Sequence, residues 1–481
     1  MSGVVEQRIR SAVTSVVNVI ASINRRRMPR LSKGNPYLQG LNLPMSEEKT
    51  IEALSVTGEI PVVLDGRYLR IGPNPVSPPD PKSYHWFLGS GMAHGVRIQG
   101  GKALWYRNRW IRSAEVSRAL GEEPNPGTEH ARAGSPNTNI IDIKGRTFAI
   151  VEAGGFPVEL DERLNMVKHN PFDNTLHGSY SAHPHLDPVS GERHAICYDS
   201  ASQERVWHVV VDHNAQVVRR EPIAVKNGPS IHDCAITENY VLVFDLPVTF
   251  SMKSVLAGHR FPYKWNEEHG ARVGLCPRQG SGDDTIWCDV DPCYVFHPAN
   301  AYEKSDGTVI VDVVAHETMF AESAIGPDSK RSRLERWTIS ASGKSVKREI
   351  LHDHNQEFPR VNEAYTGRSH RYVYSVALWM DADDEILTQP ATELFKYDSE
   401  NRSVQVRDFG KGCHPGEFVF VPSGDGDNED DGWLMGFVVD GENRTTELII
   451  LNAGDITGPA QASIHIPVSY THLTLPTILR V

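Results

Sequence analysis

Cysteine is scarce in this chain: there are six, Cys197, Cys234, Cys276, Cys288, Cys293 and Cys413, and no two form a C-x-x-C pair. That excludes a zinc ribbon and a dithiol redox motif, and it reads as reduced thiols in a cytoplasmic protein. No run approaches the roughly 18 consecutive apolar residues that cross a bilayer. Cationic excess is missing too, since 61 acidic residues outnumber 49 basic ones and the formal charge is -12. Phosphate backbones attract the opposite sign, so nucleic-acid partners are excluded. The sequence also lacks an H-E-x-x-H zinc motif and any WD or kelch signature.

What is present, from about residue 60 onward, is a succession of short β-rich runs cut by Gly, Pro, Asn and Asp. "HGVRIQGGKALWYRNRW" predicts a hairpin turning at Gly100-Gly101, and "NIIDIKGRTFAIVE" another turning near Lys144-Gly145. Runs such as "RVWHVVVD", "TVIVDVVAH" and "WLMGFVV" recur without alternating helices, which predicts a closed all-β architecture of the propeller kind. "GSGDDT" and "SGDGDNEDDG" read as solvated loops. Ahead of this region, "VVEQRIRSAVTSVVNVIASINRRR" (residues 4–27) places Val5, Ile9, Val13, Val16, Val17, Ile20 and Ile23 near helical spacing beside arginines. Three readings of it stand open: peripheral contact with an anionic membrane, a targeting segment, or translated upstream sequence.

Among 21 histidines, three stand out by context: His183 in "YSAHPHLDP", His232 in "GPSIHDCAIT" and His297 in "CYVFHPANAYE". Each lies at the end or edge of a β-rich run, where a strand delivers a side chain towards an axis. None is within helical reach of another, so any shared site is assembled from separate blades. His183 and His185 share a strand face if the run is extended, and spacing does not choose between them. Three carboxylates sit in similarly tight settings: Glu152 in "FAIVEAGGFP", Glu357 in "NQEFPRVNEAY" and Glu417 in "HPGEFVFVP". Singly, each reads as a buried glutamate paired with backbone or arginine. Beside the histidines they acquire a second reading, because a metal-bound imidazole usually donates its other N–H to a carboxylate.

"GRYLRIGPNP" (66–75), "YHWFLGSGMAHGV" (84–96), "SAHPHLDP", "SIHDCAIT", "DLPVTF" (245–250), "YVFHPANAYE" (294–303), "EFPRVN" (357–362) and "GEFVFVP" (416–422) occur in order. Together they resemble the carotenoid cleavage oxygenases, the group that includes the retinal pigment epithelium isomerase. The resemblance implies an all-β, seven-bladed propeller with Fe(2+) on its axis and a loop-built cap over a substrate tunnel. It implies four histidine ligands, of which His183, His232 and His297 are the first three, with Glu152, Glu357 and Glu417 as their outer partners. It also assigns the first histidine of the "AHP" run, leaving His185 as a neighbour. The implied reaction is oxidative scission of a carbon–carbon double bond in an apolar polyene or aromatic alkene by O2, giving two carbonyl products. Two other readings remain: a polyene isomerase or hydrolase on the same fold, and a binding module without chemistry.

Departures from the family pattern are informative. Ile71 stands where Asn is usual and Ser90 where Asp is common, both expected in structural loops. Val151 occupies the place of a lysine that grips the phenol oxygen in the stilbene-cleaving members; an apolar residue there removes that charge-assisted hydrogen bond and favours a carotenoid or apocarotenoid. The stretch "SMKSVLAGHRFPYKWNEEHG" is short and mixed where the family often carries an apolar insertion, so membrane docking would rest on residues 4–27. The ending "IHIPVSYTHLTLPTILRV" lacks the family's Phe-His-Gly segment, and its His472 falls one residue late, on the wrong face of an extended strand. "VSYTHLTLPT" reads as translated sequencing adapter. The chain thus divides into a basic amphipathic extension (1–34), the propeller (35–467) and a non-native tail (468–481), with three iron ligands and weak iron retention expected of the sequence as it stands.

Overall fold

A computed structural model describes residues 2–130, 135–378, 390–424, 426–468 and 476–479. The predicted hairpins are there. Gly91–Gln99 and Lys102–Trp110 pair through Gly100 and Gly101, and Asn139–Ile143 and Arg146–Ile150 pair through Lys144 and Gly145. All four turn residues have positive φ, the backbone hand that matches the twist of the flanking strands.

Such hairpins are strung into antiparallel meanders that follow chain order. One runs from Asn139–Ile143 to Met166–His169, the next from His185–Leu186 to Val217–Ala224, and a later one from Gln356–Arg360 to Ser403–Asp408. Between them lies an eight-stranded sheet whose two halves, each a four-stranded set, meet in a single parallel pair, Asp289 with Ser345. Closure is made by exchange between distant parts of the chain. Val56–Gly58 pairs antiparallel with Ala462–Ile466, and Pro476–Leu479 pairs with Gly66–Pro73. The result is an all-β, propeller-like fold. Apolar side chains fill the gaps between successive sheets: Phe148, Phe172, Tyr180 and Val209 form one such cluster, and Tyr68, Phe437, Leu448 and Ile464 another. Closing a sheet on its neighbours in this way hides the edges that an open sheet would expose.

Two expectations need correction. Ile71 is not in a loop but in the strand Gly66–Pro73, fully buried and paired with Ala93, so an apolar residue suits it. "SGDGDNEDDG" is tied back to the body: both Glu429 oxygens accept from the Arg371 N–H at 2.9 and 2.8 Å, and Asp430 pairs with the buried Lys396 at 2.6 Å. Asp430 is thus ion-paired and Glu429 takes backbone N–H groups, while Asp427 stays exposed. In "GSGDDT", Ser281 and Asp284 close a capping box on a short 3-10 turn, Gly282–Asp284.

The leading segment is helical, α1 (Ser2–Arg27), and it lies on a second helix, Met252–Ala257. Asn24 donates to the Leu256 carbonyl at 2.7 Å and Arg25 to that of Gly258 at 2.9 Å. Gly258 permits this approach. It ends the second helix at φ +97°, and a Cβ there would stand 2.7 Å from Arg25 N. Val16, Val19, Ile20 and Ile23 remain exposed; Val5, Ile9 and Val13 lie outside the residues whose side chains are described. Among the described residues no helix is long and apolar enough to cross a membrane.

Candidate metal centre

The three histidines come from three different meanders and meet. His183 precedes the short strand His185–Leu186, His232 precedes Cys234–Ile236, and His297 lies on Tyr294–Glu303. The last strand is irregular at that point: its register against Val309–His316 shifts on either side of Pro298. Proline lacks the N–H a regular ladder requires, and a bulge of this kind re-aims a side chain. Ring centroids are 4.4 Å apart for His183 and His232, and 5.0 Å apart for His297 and each of the other two. One nitrogen from each falls in a group within 4.8 Å. All three are buried.

Two of the rings are held from behind. Glu152 Oε2 lies 2.7 Å from His232 Nδ1, and Glu357 Oε2 lies 2.7 Å from His297 Nδ1. Glu357 takes a second imidazole on its other oxygen, His316 Nε2 at 2.9 Å. Burial would raise the Glu357 carboxyl, but His297 and then His316 outweigh it and hold it at about 2. Burial would likewise lower His297, and Glu357 outweighs it, holding the imidazole above its ordinary value. His183 has no such partner: burial, then His232 and His297, push it well below the ordinary range. Asp233 Oδ2 stands 3.8 Å from His183 Nδ1, too far for a hydrogen bond. Local strain accompanies these contacts, since Ala153 and Phe358, each following a glutamate, have positive φ.

Donor chemistry shows what the cluster accommodates. A carboxylate accepts only, so the Nδ1 atoms of His232 and His297 carry the protons and their Nε2 atoms present lone pairs. Those two Nε2 atoms lie 3.2 Å apart. Lone pairs at that distance repel unless a cation stands between them. His183 Nε2 is buried and has no hydrogen-bond partner among the described residues. Three neutral imidazole nitrogens aimed at one point fit a divalent transition metal.

Glu417 behaves differently. It makes no hydrogen bond to the three histidines and is paired with Arg360 Nε, while its Oε2 has no partner among the described residues. Burial, against the pull of Arg360, raises its pKa. His472 lies outside the described residues. Sequence reasoning also missed Arg360, which stands inside the quoted "EFPRVN", and His316, which ends the run "TVIVDVVAH".

Two cavities reach the cluster. One of about 770 Å³ is walled by Phe87, Val151, Phe261, Phe296, Phe358 and Leu378, and exposes His232 and His297 at its end. Asn18, Ala21 and Arg25 of α1 also line it. Val151 lies on the wall of this cavity next to Glu152. The other, of about 370 Å³, touches His183 and His297 and is lined by His185, Asp233, Arg360 and Glu417.

Comparison with known proteins gives a consistent result. Residues 42–473 match the family described as RPE65, retinal pigment epithelial membrane protein. A carotenoid cleavage oxygenase of Mycobacterium tuberculosis is 40% identical over 482 residues, covering 90% of this chain and 95% of that protein. A cobalt-substituted Synechocystis apocarotenoid oxygenase superposes with TM-score 0.81 at 25% identity over 91% of this chain and 97% of its own. The lignostilbene dioxygenase of Pseudomonas brassicacearum shares the fold, with TM-score 0.82 at 21% identity over 94% of this chain and 100% of its own. The chain belongs to the RPE65 family of carotenoid cleavage oxygenases.

Proposed function

We propose that this protein is a ferrous dioxygenase that cleaves one carbon–carbon double bond of a carotenoid or apocarotenoid with O2, giving two carbonyl products. The carrying observation is the pair of carboxylate-backed Nε2 atoms 3.2 Å apart, with the bare Nε2 of His183 beside them. His183, His232 and His297 are the proposed ligands, with Glu152 and Glu357 fixing the tautomer of the latter two. A ferrous ion held there supplies oxygen activation. The chain supplies the remainder: the aromatic and aliphatic wall from Phe87 to Leu378 aligns a long apolar substrate and keeps water away from it. Glu417 Oε2 is the proposed seat of a fourth imidazole.

The same reading makes the sheets seven blades around an iron-bearing axis, the eight-stranded sheet counting as two meanders. Its single parallel bridge supports that division. Residues 35–467 form the propeller, and 468–481 are a non-native tail. Residues 4–27 make peripheral contact with a membrane, an assignment supported by Val16, Val19, Ile20 and Ile23 on a helix that also lines the larger cavity. Liposome flotation with and without residues 1–30 tests that contact.

Val151 supports a polyene over a hydroxylated stilbene, because position 151 itself offers a phenolate no charged donor. Metal analysis followed by product assays under labelled dioxygen decides the main reading. With the C-terminus restored to a Phe-His-Gly ending, stoichiometric iron and label in both products of an apocarotenoid are expected. Faster cleavage of 4-hydroxystilbene would reverse the substrate assignment, and label in neither product would favour the isomerase.

A further inference from the structure

The histidine cluster lies between two cavities of different lining, and this difference assigns them different traffic. The larger one is mainly apolar near its wall of Phe87, Val151, Phe261, Phe296, Phe358 and Leu378, which offers a hydrated cation little in exchange for its water, and its Glu115, Glu152 and Glu357 are partly offset by Arg25 and Arg260. The smaller cavity carries Asp142, Asp233, Glu363 and Glu417 against Arg193 and Arg360, so four carboxylates face two guanidiniums and a net negative charge remains. Its outer end is open: the Glu363 side chain is 65% exposed. Its inner end reaches His183 and His297.

Between the two ends stands a second group of metal-binding side chains. His185 Nε2 lies 2.8 Å from Asp233 Oδ1, and the Cys234 thiol completes a set whose donor atoms lie within 4.8 Å of one another. The other Asp233 oxygen points to His183 at 3.8 Å. Asp233 thus has one oxygen on the cavity side and one towards the proposed primary ligands. Farther in, the unpartnered Glu417 Oε2, on a side chain 1% exposed, also lines this cavity.

We propose that the polar cavity is the loading route for the divalent metal, and that His185 and Asp233 form a transient cation site along it. This rests on the metal reading above. In the empty state the His185 Nε2 proton is donated to Asp233. An arriving cation replaces that hydrogen bond, with the imidazole proton moving to Nδ1 and Asp233 keeping its negative charge. The cation then transfers to the histidine cluster, Asp233 serving both positions. Apolar substrate and metal in this way enter from opposite sides.

Cobalt(II) is a suitable probe, because bound cobalt is read by its visible absorption and by metal analysis, independently of activity. The full chain is stripped with a chelator and mixed with saturating Co(II), and the uptake rate is followed. His185→Ala and Glu363→Gln are each expected to slow uptake about tenfold at low ionic strength, as expected when a charged path focuses its ligand. The final cobalt per chain and its spectrum should match the parent. Uptake at the parental rate in both variants would overturn the route, and Glu363→Gln, altering only an exposed side chain, keeps that result readable if His185→Ala folds poorly. A changed final spectrum in His185→Ala would overturn the transient role, making His185 a resident ligand. If the parent chain bound no cobalt at saturation, the metal reading itself would fail and this inference with it.

Discussion

His297 and His194 are buried to a similar degree, and their environments move them in opposite directions. At His297 the Glu357 carboxylate overcomes burial and raises the pKa. At His194, on the strand Arg193–Asp199 of the second meander, burial and then Arg278 lower it to about 3. His194 Nε2 lies 2.8 Å from an Arg278 nitrogen and its Nδ1 lies 3.0 Å from His208 Nε2, so it is held neutral inside a structural network. The two regions use the same side chain for different ends. A carboxylate on Nδ1 makes an imidazole a better electron donor at Nε2, whereas an arginine partner consumes the lone pair. Abundance of histidine therefore says little until the group behind each ring is known.

The comparison is broken most directly at Glu357. Glu357→Gln leaves a single acceptor oxygen for two imidazoles and turns the other oxygen into a donor facing an N–H. Loss of such an outer carboxylate typically costs about 10- to 100-fold in metal affinity, and the upper end is expected here; competition with a chelator measures it. Glu152→Gln, which serves His232 alone, should fall nearer the lower end. Equal effects would mean that His316 has no part in holding Glu357.

Acid sharpens the other half. His85 and His194 both have folded pKa values of about 3, in each case through burial first, below the ordinary 6.5 of an unfolded chain. Between those values the unfolded state binds more protons, so stability is fully present above pH 6.5 and falls as pH drops, the loss being complete only below about 3. Each such histidine contributes a slope of roughly 1.4 kcal/mol per pH unit in that window. Denaturant midpoints at pH 7 and pH 5.5 should differ accordingly, and His194→Gln should flatten the dependence. A flat profile in the parent would show that these rings titrate normally in the fold.

The site was legible in the sequence to the extent that it consists of residue identities in ordered motifs. His183, His232, His297, Glu152 and Glu357 were all named before any coordinates, but only the family resemblance brought them together. Spacing could not, because convergence depends on sheet closure and on the bulge at Pro298, which no period in the sequence reports. Hairpin turns were readable locally, since Gly100-Gly101 and Lys144-Gly145 carry their backbone hand in their composition. Long-range partners were not: Arg360 on Glu417, His316 on Glu357 and α1 on Met252–Ala257 each join segments whose own sequences look ordinary. The loop from Ser423 to Gly432 misled because a run of acids looks solvated until its cationic and N–H partners, Lys396 and Arg371, are placed beside it.

The smallest effect is expected at the tail. Glu417 is buried like Glu357, but its free oxygen meets no imidazole among the described residues, so a chain relying on three histidines should lose metal readily on gel filtration. The strand Pro476–Leu479 does pair with Gly66–Pro73, setting Pro476 opposite Arg70, and Gly416 packs closely on the Arg70 guanidinium. The tail thus passes near Glu417 without its sequence having the family's histidine spacing. If proximity alone sufficed, His472 would complete the set. If spacing governs, as a strand's strict alternation requires, His472→Ala should leave both the metal retained after filtration and its rate of loss unchanged, whereas a tail restoring the Phe-His-Gly ending should slow that loss. A large drop in retained metal in His472→Ala would make His472 the partner of Glu417 and erase the distinction between this carboxylate and the other two.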